Sequence, residues 1–127
     1  MKKIGIVGGV GWPSTVDYYS LICRRSERWH LTPEMSIESL DLNKAVSYLG
    51  VDGDEESWVR FDDYHRAALR RLGSSGAEFA LMASNSPHRR FASIVRGMGI
   101  PSSICLTRWR RRALESRLRR CRYSELR

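Results

Sequence analysis

Short apolar runs alternate with longer amphipathic segments along most of the chain. Three of the runs end in turn-forming or polar residues, as strands of a parallel sheet do: KKIGIVGG (residues 2–9), MSIESLDL (35–42) and EFALMAS (78–84). A fourth run, IPSSICL, begins at residue 100. The pattern therefore predicts a sheet of about four strands.

The segment after the first run has the features of a helix. Pro13 suits a first helical turn, and Ser14 or Thr15 can cap that turn. Apolar residues then recur at helical spacing, namely Val16, Tyr19, Leu21, Ile22 and Cys23. We expect these residues to form the packed face of the helix.

Two further helices are predicted between and after the remaining strands. An acidic stretch that starts at residue 52 opens a long helix, and Gly73 is expected to end it. Its apolar face comprises Trp58, Phe61, Tyr64, Ala68, Leu69 and Leu72. Residues 87–99, PHRRFASIVRGMG, form a third helix. Strands that alternate with helices indicate βαβ units, so the predicted fold class is α/β: a flavodoxin-like three-layer sandwich with a parallel sheet.

Polar clusters follow the first and third strands, where ligands bind in parallel sheets. The first cluster is GGVGWPST (8–15) and the second is SNSPH (84–88). The first lacks both the later glycine of a dinucleotide fingerprint and the Lys-Ser/Thr of a P-loop. Its glycines would let backbone N–H groups approach an anion, and a small carboxylate fits better than a pyrophosphate. A tight turn that binds no ligand is the alternative.

Composition narrows the class of protein. A chain of 127 residues has the length of one globular domain. No apolar run approaches the roughly 18–20 residues of a membrane span, and the amino terminus reads as a strand, so we expect a cytoplasmic protein without membrane partners. The three cysteines are widely spaced, which argues against a disulfide framework and against a zinc site. They are Cys23, Cys105 and Cys121.

The net charge of +8 is concentrated at one end of the chain. The last 24 residues hold nine Arg and two Glu, a net of +7, so the first 103 residues carry only +1. We therefore expect an α/β domain over residues 1–103 and an Arg-rich tail over 104–127, helical or disordered. Such a tail can bind polyanions adventitiously, and selected nucleic-acid binding through it is an alternative function.

The two polar clusters carry a resemblance to a known family. IGIVGGVGWPSTVDYY (4–19) resembles the amino-terminal signature of the aspartate/glutamate racemases, with its Gly-Gly-Met-Gly/Ser, a Ser/Ala-Thr pair and then aromatic residues. ASNSPH (83–88) is similar to the Cys-Asn-Thr-Ala-His segment that follows the third strand in that family. The resemblance covers about residues 1–103.

The resemblance implies a racemase that needs no cofactor, pyridoxal phosphate included, and that acts on aspartate or glutamate. It also implies two similar α/β domains with the active site between them. Ser84 takes the acid/base position, Asn85 and Ser86 become ligands of the substrate carboxylate, and Val10 lines the pocket where the family has Met. No metal is implied.

The serine changes the expected chemistry. Racemisation removes a proton from one face of the α-carbon and returns one to the other, so two acid/base groups are needed. A thiol with a pKa of ~8.5 can become a base, whereas a hydroxyl donates a proton more readily than it abstracts one from carbon. His88, four residues further on, could face Ser84 if the helix begins at once; a capping or surface position is the alternative.

The chain also departs from the family beyond Pro101. The second domain and its catalytic cysteine, in a Gly-Cys-Thr segment, have no counterpart, so we expect a truncated and impaired racemase. One hypothesis is that the residues after about 103 are translated in a shifted reading frame. A non-catalytic carboxylate-binding α/β domain is the rival interpretation, and apolar surface left open where the second domain should pack would favour a homodimer.

Overall fold

The computed structural model describes residues 2–98. Three strands lie in this range: β1 (Ile4–Gly8), β2 (Met35–Ser39) and β3 (Phe79–Met82). The helices are α1 (Trp12–Glu27), α2 (Leu42–Ser47), α3 (Val59–Ser74), α4 (Ser86–Arg89) and α5 (Phe91–Val95), and a 3-10 turn at Glu56–Trp58 precedes α3. The predicted fourth strand and the Arg-rich tail lie outside the described residues.

The strands form one parallel sheet in the order β2-β1-β3. Ile6 of β1 is in register with Ile37 of β2 on one side and with Leu81 of β3 on the other. The connection from β1 leads to one neighbour and the connection from β2 crosses to the other, which makes the space between β1 and β3 a topological switch point. The predicted flavodoxin-like α/β fold is confirmed.

The two faces of the sheet are covered by different helices. Ile4, Ile6 and Leu81 pack with Tyr18 and Ile22 of α1. The opposite face packs against α3 and α5, with a buried cluster that comprises Val7, Leu40, Ala68, Leu69, Leu72, Ala80, Met82 and Ile94. Side chains of a strand alternate between the faces, so Ile6 and its neighbour Val7 belong to different layers. The three-layer arrangement follows.

Helix α1 forms where the sequence predicts it, with proline in its first turn. Its cap differs from the prediction, because Gly11 is the N-cap residue and no side chain caps the helix. The buried face also differs: Thr15, Tyr18 and Ile22 point to the sheet, whereas Val16 is 56% exposed. Thr15 points inward although it is polar, because its hydroxyl is needed by the turn that precedes the helix.

Helix α3 buries most of its predicted apolar face, with Tyr64 half-buried. His65, a polar residue of the same helix, is 0% exposed. The helix passes through Gly73 and ends at Ser74, and Gly76 takes the left-handed conformation instead (φ 85°). The N–H groups of Gly76 and Ala77 then bond to the carbonyls of Gly73 and Leu72, at 3.0 and 3.1 Å, which is a Schellman ending.

The single helix predicted over residues 87–99 is wrong, because two short helices meet at Arg90. Arg90 has φ −103° and ψ 7°, outside helical values. Its side chain leaves the helix axis to reach acidic residues of α3 and of the loop before it.

Helix α2 was not anticipated; Asp41 caps it by accepting a hydrogen bond of 2.9 Å from the Lys44 N–H. Within residues 2–98, the longest apolar helical stretch falls short of what a membrane crossing requires.

Candidate functional site

Three loops meet at the carboxyl edge of the sheet. The Leu40 N–H after β2 donates to the Gly8 carbonyl at 2.8 Å, and the Ala83 N–H after β3 donates to the Val7 carbonyl at 2.8 Å. Both neighbours of β1 are thus held to it up to the points where their loops begin. The polar clusters after β1 and β3 are adjacent for this reason.

The turn after β1 is shaped by close backbone approach. Gly9 has φ +90°, and a Cβ on it would lie 2.1 Å from the Leu40 carbonyl oxygen and 2.4 Å from the Leu40 nitrogen. A Cβ on Gly11 would lie 3.7 Å from the carbonyl oxygen of Ala83, in ordinary contact. The β1–α1 turn is therefore wedged between the loops that follow β2 and β3.

Thr15 holds this turn from beneath. Its hydroxyl accepts a hydrogen bond of 3.1 Å from the Gly9 N–H, and its Oγ1 would lie only 2.4 Å from a Cβ on Gly8. Thr15 occupies the space that a side chain on Gly8 would need. Because the Gly9 N–H is used inside the turn, a bound anion would have to find its donors further along, towards the start of α1.

The segment after β3 brings hydroxyl and amide groups to the same edge. Ser84 is half-buried, directly beyond the last residue paired with β1. Asn85 is exposed at the N-cap of α4, where its side chain makes no capping hydrogen bond, and Ser86 is exposed as the first helical residue. The Asn85 amide thus has donors and an acceptor that capping does not use. His88 lies half-buried within α4.

Val10, in the β1–α1 turn, packs towards α3. It is partly buried against the cluster that contains Val7, Met82 and Ile94, and Tyr64 of α3 packs against the same cluster. The Tyr64 hydroxyl accepts a hydrogen bond of 3.0 Å from the Asp41 N–H, and the Lys44 ammonium lies 5.4 Å from the centre of the Tyr64 ring. An aromatic side chain of α3 therefore fixes the β2–α2 loop and keeps a cation near this edge.

A cleft of about 290 Å³ lies elsewhere, on α3. Its lining includes Glu55, Asp62, Arg66 and Arg90, and none of the four predicted site residues lines it. Arg90 bonds to Asp62 and Glu55, and Arg66 bonds to Asp63 and to two carbonyls of α5. We attribute this cleft to the packing of charged side chains, since its arginines already have partners in the chain.

Sequence reasoning missed two structural supports of the site. One is Thr15, treated as a cap although it fills the space under Gly8. The other is the pair between Asp62 and Arg90. A signal for it was present, because Asp62 lies beside Phe61 and three residues before His65 on the buried side of an amphipathic helix, and a buried carboxylate requires a charged partner.

Across residues 2–98, His, Cys, Asp and Glu side chains do not gather into a set of three that could hold a metal ion.

Two solved structures are similar to this chain. An aspartate racemase homologue from Pyrococcus horikoshii is 31% identical, with a TM-score of 0.64 over 80% of this chain and 43% of that one. A Yersinia pestis protein that has been proposed to be an Asp/Glu racemase is 23% identical, with a TM-score of 0.68 over 80% of this chain and 44% of that one. No family model matches the chain, and no curated protein matches it.

The similarities extend over only part of each neighbour. The chain spans less than half of either neighbour. The match to the second neighbour, at 23% identity, concerns the fold alone. The TM-scores of 0.64 and 0.68 indicate that the described residues share the fold of both neighbours. The described part of the chain therefore has the racemase-like, flavodoxin-type α/β fold of these neighbours.

Proposed function

We propose that this chain provides the amino-terminal part of a cofactor-independent amino-acid racemase for aspartate or glutamate. In this proposal Ser84 exchanges a proton with the α-carbon, while Asn85 and Ser86 bind the α-carboxylate. Val10 forms one wall of the substrate pocket. A solved aspartate racemase homologue at 31% identity supports the reaction class.

One observation carries the proposal: the turn after β1 and the segment after β3 lie side by side at the switch point of the sheet. A small amino acid at this position would lie between the start of α1 and the Ser84 hydroxyl. The amino terminus of α1, a helix of 16 residues, favours a negatively charged group. Asn85 adds amide donors that are not used in capping.

The proposal assigns the acid/base role to one group among the described residues, Ser84. The free thiol in that range, Cys23, lies three turns along α1 from Trp12, about 16 Å below the edge at 1.5 Å per residue. It is too far away to act on the other face of a substrate held at Ser84. We therefore expect no inversion, and only slow exchange of the α-proton with solvent, because Ser84 is scarcely ionised near neutral pH.

Deuterium wash-in tests this expectation. L-aspartate and D-aspartate are incubated separately with the full chain in D₂O, and deuterium at the α-carbon and the configuration are both measured. Exchange with one enantiomer and retention of its configuration is the expected result. Loss of exchange in Ser84→Ala, together with unchanged exchange in Ser74→Ala at the far end of α3, would assign the proton transfer to Ser84.

Ser84→Cys is the informative substitution. A thiolate is accessible near neutral pH and a serine alkoxide is not, so exchange should rise by about tenfold or more if the position is catalytic. No exchange in either protein, with no binding of aspartate or glutamate, would refute the proposal. Binding without exchange in both proteins would instead favour a carboxylate-binding domain with no catalysis.

A further inference from the structure

A buried ion pair joins the segment after β3 to helix α3. Arg90 lies at the junction of α4 and α5, and its guanidinium donates two hydrogen bonds to the Asp62 carboxylate, at 2.7 and 3.2 Å. It also bonds to Glu55 at 2.9 Å and lies 5.4 Å from the centre of the Trp58 ring. The side chains of Arg90 and Asp62 are only 12% and 7% exposed.

A second arginine bridges the same two segments in the opposite direction. Arg66, one turn after Asp62 on α3, donates to the carbonyl of Ser93 at 2.7 Å and to that of Ile94 at 2.9 Å. These carbonyls lie in the last turn of α5, where helical acceptors are left open. Arg66 and Arg90 together fix both halves of the segment to α3.

The segment depends on these contacts because its helices are short. Helix α4 has four residues and α5 has five, well below the length at which a helix is stable by itself. Helix α4 begins directly after Ser84 and Asn85, and Arg90 ends it. The position of the site groups relative to the β1–α1 turn therefore depends on where Arg90 is held.

We propose that Arg90 is a positioning residue for this site: by binding both carboxylate oxygens of Asp62 through Nε and Nη2, it orients α4 and so sets Ser84, Asn85 and Ser86 against the β1–α1 turn. This inference rests on the proposed function for its ligand. Lysine cannot replace arginine here, because it lacks the planar fork that binds a carboxylate through two parallel bonds.

The neighbouring residue supplies a matched control. Arg89 also forms an ion pair, with Asp52 at 2.8 Å, but both side chains are mostly exposed. Arg90→Lys should weaken the binding of L-aspartate about tenfold, since small misplacements of binding groups are costly. Arg89→Lys should change it by less than about twofold, as expected for a surface substitution. Both dissociation constants are measured at a temperature where each variant is folded by circular dichroism.

Hydrogen exchange reports the same effect without ligand. The His88 and Arg90 N–H groups bond to the carbonyls of Asn85 and Pro87, at 3.1 Å each, so their protection measures the order of α4. Arg90→Lys should reduce this protection, and Arg89→Lys should not. The double variant Asp62→Glu with Arg90→Lys lengthens the carboxylate side chain by one methylene, which offsets the shorter reach of lysine, and should recover part of the affinity.

The outcomes separate the two proposals. A wild-type chain that binds no L-aspartate refutes the proposed function, and the role of Arg90 with it. Wild-type binding with an unchanged dissociation constant in Arg90→Lys refutes the role of Arg90 alone, even if that variant unfolds at a lower temperature, because a merely structural contact would change stability and leave the affinity intact. Unchanged amide protection in Arg90→Lys has the same meaning.

Discussion

The backbone N–H of Gly9 donates a hydrogen bond of 3.1 Å to the hydroxyl of Thr15, six residues along the chain. Thr15 is 9% exposed and Gly9 is half-buried, so this bond lies under the turn and is partly shielded from solvent. It closes the β1–α1 turn from within. The turn is thereby set before a ligand arrives, which limits the cost of ordering a site at this edge.

Replacement of Thr15 by valine tests that bond. Valine keeps the shape of threonine but removes the acceptor of the partly buried Gly9 N–H. We expect a loss of about 1–3 kcal/mol in the free energy of unfolding, measured with urea. Thr32→Val, at an exposed position, should change it by less than about 0.5 kcal/mol. Equal effects of the two substitutions would contradict a structural role for the Thr15 hydroxyl.

Two glycines with the same backbone angle separate steric clash from backbone strain. Gly9 has φ +90° and Gly53 has φ +91°, but a Cβ on Gly9 would overlap the Leu40 backbone, whereas a Cβ on Gly53 would meet nothing within 4 Å. Gly53→Ala should therefore cost about 1–2 kcal/mol, the penalty of the left-handed conformation alone. Gly9→Ala should cost clearly more or abolish folding, as followed by urea unfolding. Similar costs would mean that the β2–α2 loop can move aside.

Ion pairs at different depths should differ in their contribution to stability. Removal of the buried carboxylate in Asp62→Ala leaves the mostly buried Arg90 with Glu55 as a partner, at an expected cost of about 2–3 kcal/mol. The pair of Arg71 with Glu38 is more exposed at a similar distance of 2.7 Å, so Glu38→Ala should cost about 1 kcal/mol or less. Thermal unfolding of both variants checks the order. The prediction is wrong if Glu38→Ala is the more harmful.

Stability should fall in mild acid because of His65. Its Nδ1 donates to the Phe61 carbonyl at 2.8 Å, and its buried Nε2 has no hydrogen-bond partner among residues 2–98, so a proton added at Nε2 would meet no acceptor from that range. Burial accordingly lowers the pKa of His65 below its ordinary value of 6.5, despite the opposing effects of the Phe61 carbonyl and Asp62. The unfolded chain then binds the proton more readily than the folded chain does.

The stability that His65 contributes therefore decreases as the pH falls. The contribution of His65 is fully present above pH 6.5 and is lost as the pH falls from 6.5 towards the folded pKa, with a slope of at most about 1.4 kcal/mol per pH unit. His65→Leu should remove this part of the pH dependence, and His30→Asn, at an exposed position with φ 52°, should keep it. Urea unfolding between pH 5 and 8 compares them. Parallel curves for wild type and His65→Leu would exclude His65 as the source.

Part of the fold could be read directly from the order of residues. The apolar runs around Ile6, Ile37 and Leu81 became the three strands of the described sheet, because short apolar runs can satisfy their backbone only by pairing with one another. The apolar spacing of α3 identified its buried side, including Phe61, Leu69 and Leu72. The carboxyl ends of the strands then brought the two polar clusters to one edge, as parallel topology requires.

Contacts distant in sequence decided the rest. His65 became a core residue, and the segment around Arg90 broke into two helices because Asp62, 28 residues earlier, lies within reach of that guanidinium. Gly76 rather than Gly73 ended α3, since the Schellman bonds form only where the chain turns back towards β3. Local preference and periodicity act over a few residues and determined by themselves which segments become strands and helices. Which polar groups are buried, and where a helix stops, depends on the partners that tertiary packing supplies, and these cannot be seen in the local sequence.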